Sequence, residues 1–145
     1  MHVVTVSPTI STAIYASGDA VGGLLTFANA VRKTSFTGTI VAATLIDAGA
    51  QSAALVLQLF DRTFTPTADQ AAYAPSDADI VNAIANIPFA TADYVGGSAN
   101  KVAHVRNLGI PLVCLASDLF GQLFLTAGTP TFPGDDNLTV KLFID

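Results

Sequence analysis

The side chains that could do acid-base or nucleophilic chemistry are few and scattered. The two histidines, His2 and His104, lie far apart in the chain and do not have the spacing of metal ligands. His104 stands among valines, which is typical of a partly exposed strand histidine. The single cysteine, Cys114, lies in the apolar stretch Leu-Val-Cys-Leu-Ala, where we expect a small, buried and unreactive thiol. Neither residue type predicts a nucleophile or a metal centre.

The aspartates have structural explanations. Asp77 and Asp79 could offer oxygens to calcium, but the Gly and Glu of an EF-hand loop do not follow, and helix capping explains both. The run 134–137, Gly-Asp-Asp-Asn, includes two adjacent acids, Asp135 and Asp136, in a composition typical of a turn. The run 18–23 lacks the Lys and Ser/Thr of a phosphate-binding loop. We therefore assign no catalytic, cofactor-binding or metal-ligating residue and expect that the protein is not an enzyme.

The composition favours strands over helices. The chain of 145 residues predicts one domain, residues 1–145, able to bury a core of its own. Hydrophobic residues make up 51% and charged residues 12%, about half of the usual share of about 25%. All eleven acids are aspartates, which favour turns and caps, and glutamate, a usual residue of exposed helices, is absent.

The charge and hydropathy patterns exclude several kinds of partner. A net charge of −5 with six Lys and Arg argues against a nucleic-acid partner, because phosphates bind clustered cations. No apolar run approaches the about eighteen residues that span a membrane, so we expect no membrane partner. The stretch His2–Pro8 lacks the basic start and apolar core of a signal peptide, which favours synthesis in the cytoplasm.

Short apolar segments between turn residues predict an all-β fold. They are Val3–Val6, Leu24–Ala28, Thr39–Asp47, Ser52–Asp61, Val102–Arg106, Ile110–Ala116, Leu119–Ala127 and Leu138–Ile144. Eight strands at this spacing indicate a β-sandwich, jelly-roll-like in arrangement. Leu119–Ala127 is apolar on both faces and needs cover on both sides, from its own subunit or from a neighbour.

One segment has the spacing of a helix. Ile80, Ile84 and Ile87 recur at helical intervals, and Ser76 can act as an N-cap. The sequence therefore predicts one short α-helix near residues 77–86, at an end or edge of the sandwich.

With the strands placed, the chain resembles a family of small structural proteins of tailed bacteriophages. The stretches that carry the resemblance are Val4–Phe27, Leu57–Asp61, Asp77–Asp79, Leu119–Phe132 and Asn137–Leu142. They are combinations of strand and turn, they extend over nearly the whole chain, and none is catalytic. The resemblance implies a virion structural protein and supplies no site residue.

Within a virion, we expect a capsid decoration or cement protein that binds and reinforces the head shell. Its expected partners are the major capsid protein and copies of itself, as a homo-oligomer on the shell, after synthesis in the cytoplasm of the host bacterium. Many weak contacts multiplied over a symmetric shell would supply its affinity. The expected contact segments are His2–Tyr15 and the loop Phe64–Pro75, since both read as polar and flexible.

The alternative is a tail or fibre-base adaptor that recognises host glycans. Sugar rings stack on exposed aromatic side chains, and the chain has no tryptophan and three tyrosines. Tyr73 and Tyr94 fall in predicted loops, where they could bind a glycan or anchor the loops to the core.

Overall fold

The chain folds into two antiparallel β-sheets, and the computed structural model describes all residues from Met1 to Asp145. The strands are β1 His2–Val6, β2 Ala20–Phe27, β3 Thr37–Asp47, β4 Ala54–Phe60, β5 Ala83–Phe89, β6 Tyr94–Gly96, β7 Lys101–Val113, β8 Leu119–Ala127 and β9 Leu138–Ile144. One α-helix, α1 Asp77–Ile80, and a 3₁₀ turn, Thr91–Asp93, complete the fold. No helix is both long enough and apolar enough to cross a membrane.

The strand order is that of a jelly roll. One sheet has the order β1-β9-β3-β7-β6 and the other β2-β8-β4-β5. The first strand pairs with the last, β2 with β8, β3 with β7 and β4 with β5, and every pair is antiparallel. Nested pairs that alternate between two sheets form a double-sheet jelly roll. The predicted all-β sandwich is therefore confirmed.

The core lies between the sheets and follows the two-residue alternation of the strands. In β9, Leu138, Val140, Leu142 and Ile144 are fully buried, while the residues between them are half-buried on the outer side. A contiguous cluster of 28 buried residues draws on both sheets. The alternation visible in the C-terminal sequence therefore gives the correct inward face.

Residues 107–109 separate two of the predicted strands, as a turn would, but they form a bulge within one long strand. Asn107 and Gly109 have φ of 56° and 59°, in the left-handed region. Ile110 pairs with Ile40 and Arg106 with Ala42, so the three residues 107–109 stand opposite a single residue of β3. The predicted segments Val102–Arg106 and Ile110–Ala116 are therefore largely one strand, bent by an insertion that leaves the pairing intact on both sides.

The predicted helix begins as expected but ends early. Ser76 Oγ accepts a hydrogen bond from the Asp79 backbone N at 3.1 Å, as an N-cap does. The helix ends at Ile80, and residues 83–86, predicted to be helical, lie in β5. Local propensity does not explain this, since only Ile84 and Ile87 of β5 are β-branched, but β5 pairs with β4 from Ala83 to Phe89. Tertiary pairing therefore overrides a helical spacing of only three isoleucines. Neither β5 nor β6 was predicted.

Candidate interaction surface

The residues that could act as nucleophiles, bases or metal ligands lie apart from one another. His104 is on the outer side of β7, with Nδ1 2.8 Å from Thr44 Oγ1. Cys114 is buried, with 7% of its surface exposed, and burial, with a smaller contribution from Asp61, raises the pKa of its thiol to about 11. No three His, Cys, Asp or Glu side chains are grouped as metal ligands would be. Cys114 is therefore a packing residue.

The acids singled out in the sequence stabilise local structure. Asp79 Oδ2 accepts hydrogen bonds from Ser76 Oγ at 3.0 Å and from the Thr65 backbone N at 3.3 Å. Asp135 and Asp136 are exposed in the loop before β9. That loop is closed by the Gly134 backbone N, which donates to Asn137 Oδ1 at 2.9 Å, as the turn composition predicts.

The three tyrosines point into the molecule. The Tyr94 hydroxyl donates to the Ala53 carbonyl at 2.8 Å, and the fully buried Tyr15 donates to Asp69 Oδ1 at 2.7 Å. The Tyr73 hydroxyl donates to Gln58 Oε1 at 2.7 Å, and burial raises the pKa of Tyr73 to about 12. Burial also raises the pKa of the other two hydroxyls. Tyr73 thus anchors its loop to the core. Tyr94, predicted to lie in a loop, is the first residue of β6 and anchors that strand.

The outer face of the four-stranded sheet is covered by the chain itself. The covering segment, residues 61–76, joins β4 to α1. Its Phe64 ring stacks on Phe60 of β4, with centroids 3.9 Å apart, and its Tyr73 ring stacks on Phe124 of β8, with centroids 4.5 Å apart. On the second apolar face of Leu119–Ala127, Phe124 is therefore covered within one subunit, whereas Phe120 stays half-buried.

A buried glutamine fixes the same segment to the sheet by polar contacts. Gln122 of β8 has no exposed surface. Its Nε2 donates to the carbonyls of Thr67 at 2.7 Å and Gly22 at 2.9 Å, and its Oε1 accepts from the Thr67 backbone N at 3.0 Å. Phe64–Pro75 is therefore bonded to the sheet and is not the free, flexible loop that we expect from the sequence, while its contact with a partner stays a prediction. Most of that loop is the outer layer of the sandwich.

The N-terminal stretch His2–Tyr15 is also built into the fold. Residues 2–6 form β1, paired along its length with β9. Ile10 is buried in the core, and its backbone N donates to the Asp135 carbonyl at 3.0 Å. This stretch is therefore an edge strand and a bonded loop, where a free arm was expected.

The outer face of the five-stranded sheet has no such cover. We call this surface the open face. Its members alternate with core residues and are the side chains of Val3, Thr5, Ala42, Thr44, Ile46, Val95, Val102, His104, Arg106, Thr139, Lys141 and Phe143. All are exposed or half-buried except Thr44. The one loop side chain bonded to it is Ser7, through Thr139 at its margin.

The middle of the open face carries cationic groups. In one cross-strand row, Lys141 stands opposite Thr44, which stands opposite His104. In the next row, Phe143 stands opposite Ala42, which stands opposite Arg106. One aspartate, Asp145, continues this side of β9 two residues after Phe143, where its backbone bonds to Thr39 and its carboxylate pairs with the Met1 ammonium at 3.2 Å. The face therefore combines positive charge, an aromatic ring and small apolar side chains on a flat sheet.

Only part of this surface is predictable from the sequence. Alternation in β9 already separates Lys141 and Phe143 from the core. Arg106 and His104 join them only through cross-strand register, which is set by the bulge at residues 107–109. The signal that was available is the position of the aspartates, which all fall in loops, in short helical turns or at strand ends.

Comparison with protein-family models, with curated proteins and with solved structures finds no match for this chain. Its function is therefore argued from its own surfaces. The main feature is the contrast between two outer faces, one covered by residues 61–76 and the other open.

Proposed function

We propose that the chain is a structural protein of a phage virion, and that it decorates the capsid by binding the outer surface of the head shell through the open face. The virion context comes from the sequence resemblance, which extends over nearly the whole chain. The jelly roll is compatible with it, because this architecture is common in viral capsid domains. A fold alone does not assign a function, so the proposal depends on the surface.

The observation that carries the proposal is the difference in cover between the two sheets. On the four-stranded sheet, Phe64 stacks on Phe60 and Tyr73 stacks on Phe124, so that of the outer aromatic side chains only Phe120 has no stacking partner. On the five-stranded sheet, Phe143 and Ile46 are left half-buried beside exposed Arg106. Arginine and aromatic side chains are enriched in protein interfaces. The uncovered sheet therefore has the composition of a contact surface.

The charges of the open face also favour a protein partner with an acidic surface. Of the two ion pairs of the chain, Met1 with Asp145 lies at the end of this sheet and Arg62 with Asp61 lies elsewhere, and neither includes Lys141 or Arg106. Lys141 and Arg106 therefore have no ion-pair partner within the chain and are available to acids of a partner. Complementary charge speeds the encounter of two proteins and fixes their orientation, and the effect weakens with salt.

A decoration protein needs only modest affinity at each contact. The shell offers many identical sites, and subunits that also touch one another gain binding from their high local concentration. The major capsid protein and other copies of this chain are therefore the proposed partners, and the virion its proposed location. The alternative position, at the tail or a fibre base with glycan binding, has less support because Tyr73 and Tyr94 are used internally.

Co-sedimentation tests the proposal. The purified chain is mixed with undecorated capsids of the phage that encodes it and then pelleted through a dense cushion. We expect the chain in the pellet up to a fixed copy number per shell, and less of it at high salt. A chain that does not pellet with capsids but binds isolated tails or host cell-wall polymers would contradict the capsid proposal and favour a tail or fibre-base adaptor.

A further inference from the structure

The two sheets have four edges, and three of them carry features that prevent pairing with another chain. Proline, a bulge, a charged side chain or a covering loop each blocks an exposed strand edge. The free edge of β7 holds Arg106, the bulge at residues 107–109 and Pro111, and its remaining part pairs with the three-residue β6. The edge strand β5 contains Pro88.

The edge strand β2 is blocked by a bulge and by the covering segment. Its pairing with β8 shifts register between Val21 and Leu25. The Ala20 backbone N donates to the Ala71 carbonyl at 2.8 Å, and the Gln70 backbone N donates to the Ala20 carbonyl at 3.0 Å. Its backbone groups at this end are therefore already bonded within the chain.

The edge strand β1 has none of these features. Its sequence is His-Val-Val-Thr-Val, without proline, glycine, lysine or arginine, and its ladder with β9 runs from His2 to Val6 without a register shift. Four of the five residues are β-branched, a type that favours strands. Val3, on the open face, is 48% exposed. The other side of β1 is unpaired in this chain.

We propose that β1 pairs with β1 of a second copy of this chain, so that two five-stranded sheets become one continuous sheet. An antiparallel pair of identical strands has two-fold symmetry, which closes the contact at a dimer. No charged side chain of β1 opposes another, since His2 is its only titratable residue. The two open faces then lie side by side and present a surface twice as wide.

The size of this contact sets its strength. A pair of five-residue edges buries much less than the about 800 Å² per partner of standard stable interfaces. We therefore expect a weak dimer that forms at high protein concentration, or where a shell holds copies side by side. The pairing itself is argued from β1 alone, whereas its use on a capsid rests on the proposed function.

Sedimentation velocity over two decades of concentration tests the pairing, with no capsid present. We expect a monomer-dimer equilibrium that Val3→Lys weakens by about tenfold or more, because lysine at an edge opposes strand pairing. Val95→Lys is the matched control. Val95 is 76% exposed on the same face but in β6, at the opposite edge, so this variant should dimerise like the wild type.

A second readout does not depend on the lysine variant being folded. Thr5→Cys places a thiol on β1, and a short bismaleimide should link it to its copy, whereas Val95→Cys should give no linked dimer. The proposal is overturned if the wild type stays monomeric at all concentrations and Thr5→Cys gives no cross-linked dimer. Equal weakening by Val3→Lys and Val95→Lys would also overturn it, by placing self-association elsewhere. Either result leaves binding of single copies to capsids as a separate question.

Discussion

The Tyr73 ring lies flat on the ring of Phe124, with centroids 4.5 Å apart and planes 5° from parallel. The Tyr73 hydroxyl also reaches across the sheet to Gln58 Oε1, at 2.7 Å. This contact holds the covering segment on β8 and hides an aromatic side chain that would otherwise be available to a partner. Phe124 is therefore covered by a ring of its own chain, whereas no ring stacks on Phe143 of the other sheet.

Removal of the Tyr73 ring should loosen the covering segment. We expect Tyr73→Ala to lower the free energy of unfolding by about 2 to 3 kcal/mol, because a stacked, half-buried ring is lost. Tyr73→Phe keeps the stacking and loses one hydrogen bond, so it should cost about 1 kcal/mol. Urea denaturation of the two variants measures the difference. Equal losses would show that the stacked ring contributes little.

The buried amide of Gln122 should be more sensitive than its size suggests. Gln122→Leu removes three hydrogen bonds and leaves the backbone groups of Thr67 and Gly22 without a partner. We expect a loss of about 2 to 4 kcal/mol and faster hydrogen exchange or proteolysis in residues 61–76. Gln51→Leu is the control, because Gln51 also bonds backbone groups, those of Gly49 and Thr131, but is exposed, so that water can replace the lost bonds and the loss should be about 1 kcal/mol or less. Unchanged protection of the segment in Gln122→Leu would contradict this account.

Alkaline pH should destabilise the protein through its tyrosines. Burial raises the pKa of Tyr73 from 10.0 to about 12 and that of Cys114 from 9.0 to about 11. Between the two values the unfolded chain has released protons that the folded chain still holds, so stability falls as pH rises. At pH values below the pKa of these groups in the unfolded chain, they do not change the stability with pH. We therefore expect constant stability up to about pH 9 and a decline between about pH 9 and 12.

Near-ultraviolet absorbance of tyrosinate measures this directly, since the chain has no tryptophan. Ionisation should be absent near pH 10 in the folded protein and should appear together with loss of the β-sheet circular dichroism signal. Three tyrosines that ionise near pH 10 while the sheets stay intact would contradict the burial of their hydroxyls.

The sequence was sufficient for the fold class because the signals for strands and turns are local. In β9, apolar residues occupy every second position, which predicts the strand and its inward face. They are Leu138, Val140, Leu142 and Ile144, and they alternate with Thr139, Lys141 and Phe143. Ser76 likewise predicts the start of α1, since a capping hydrogen bond is made within one turn.

The errors occurred where distant contacts decide the structure. The isoleucines at 84 and 87 fit a helical spacing, but pairing with β4 draws them into β5. Asn107 and Gly109 look like a turn, but β3 continues past them on the partner side and makes them a bulge. No local pattern shows that residues 61–76 return across β4 and β8, and so the covered and the open sheet could not be distinguished.

The most direct test of the contact surface is capsid co-sedimentation of two double variants with the same change in net charge. In one, Lys141→Glu and Arg106→Glu reverse the charge of the open face. In the other, Arg32→Glu and Lys33→Glu do so in the exposed loop between β2 and β3. We expect the first to bind capsids about tenfold or more weakly than the wild type and the second to bind like the wild type. Equal capsid binding by both variants would contradict a role for the open face.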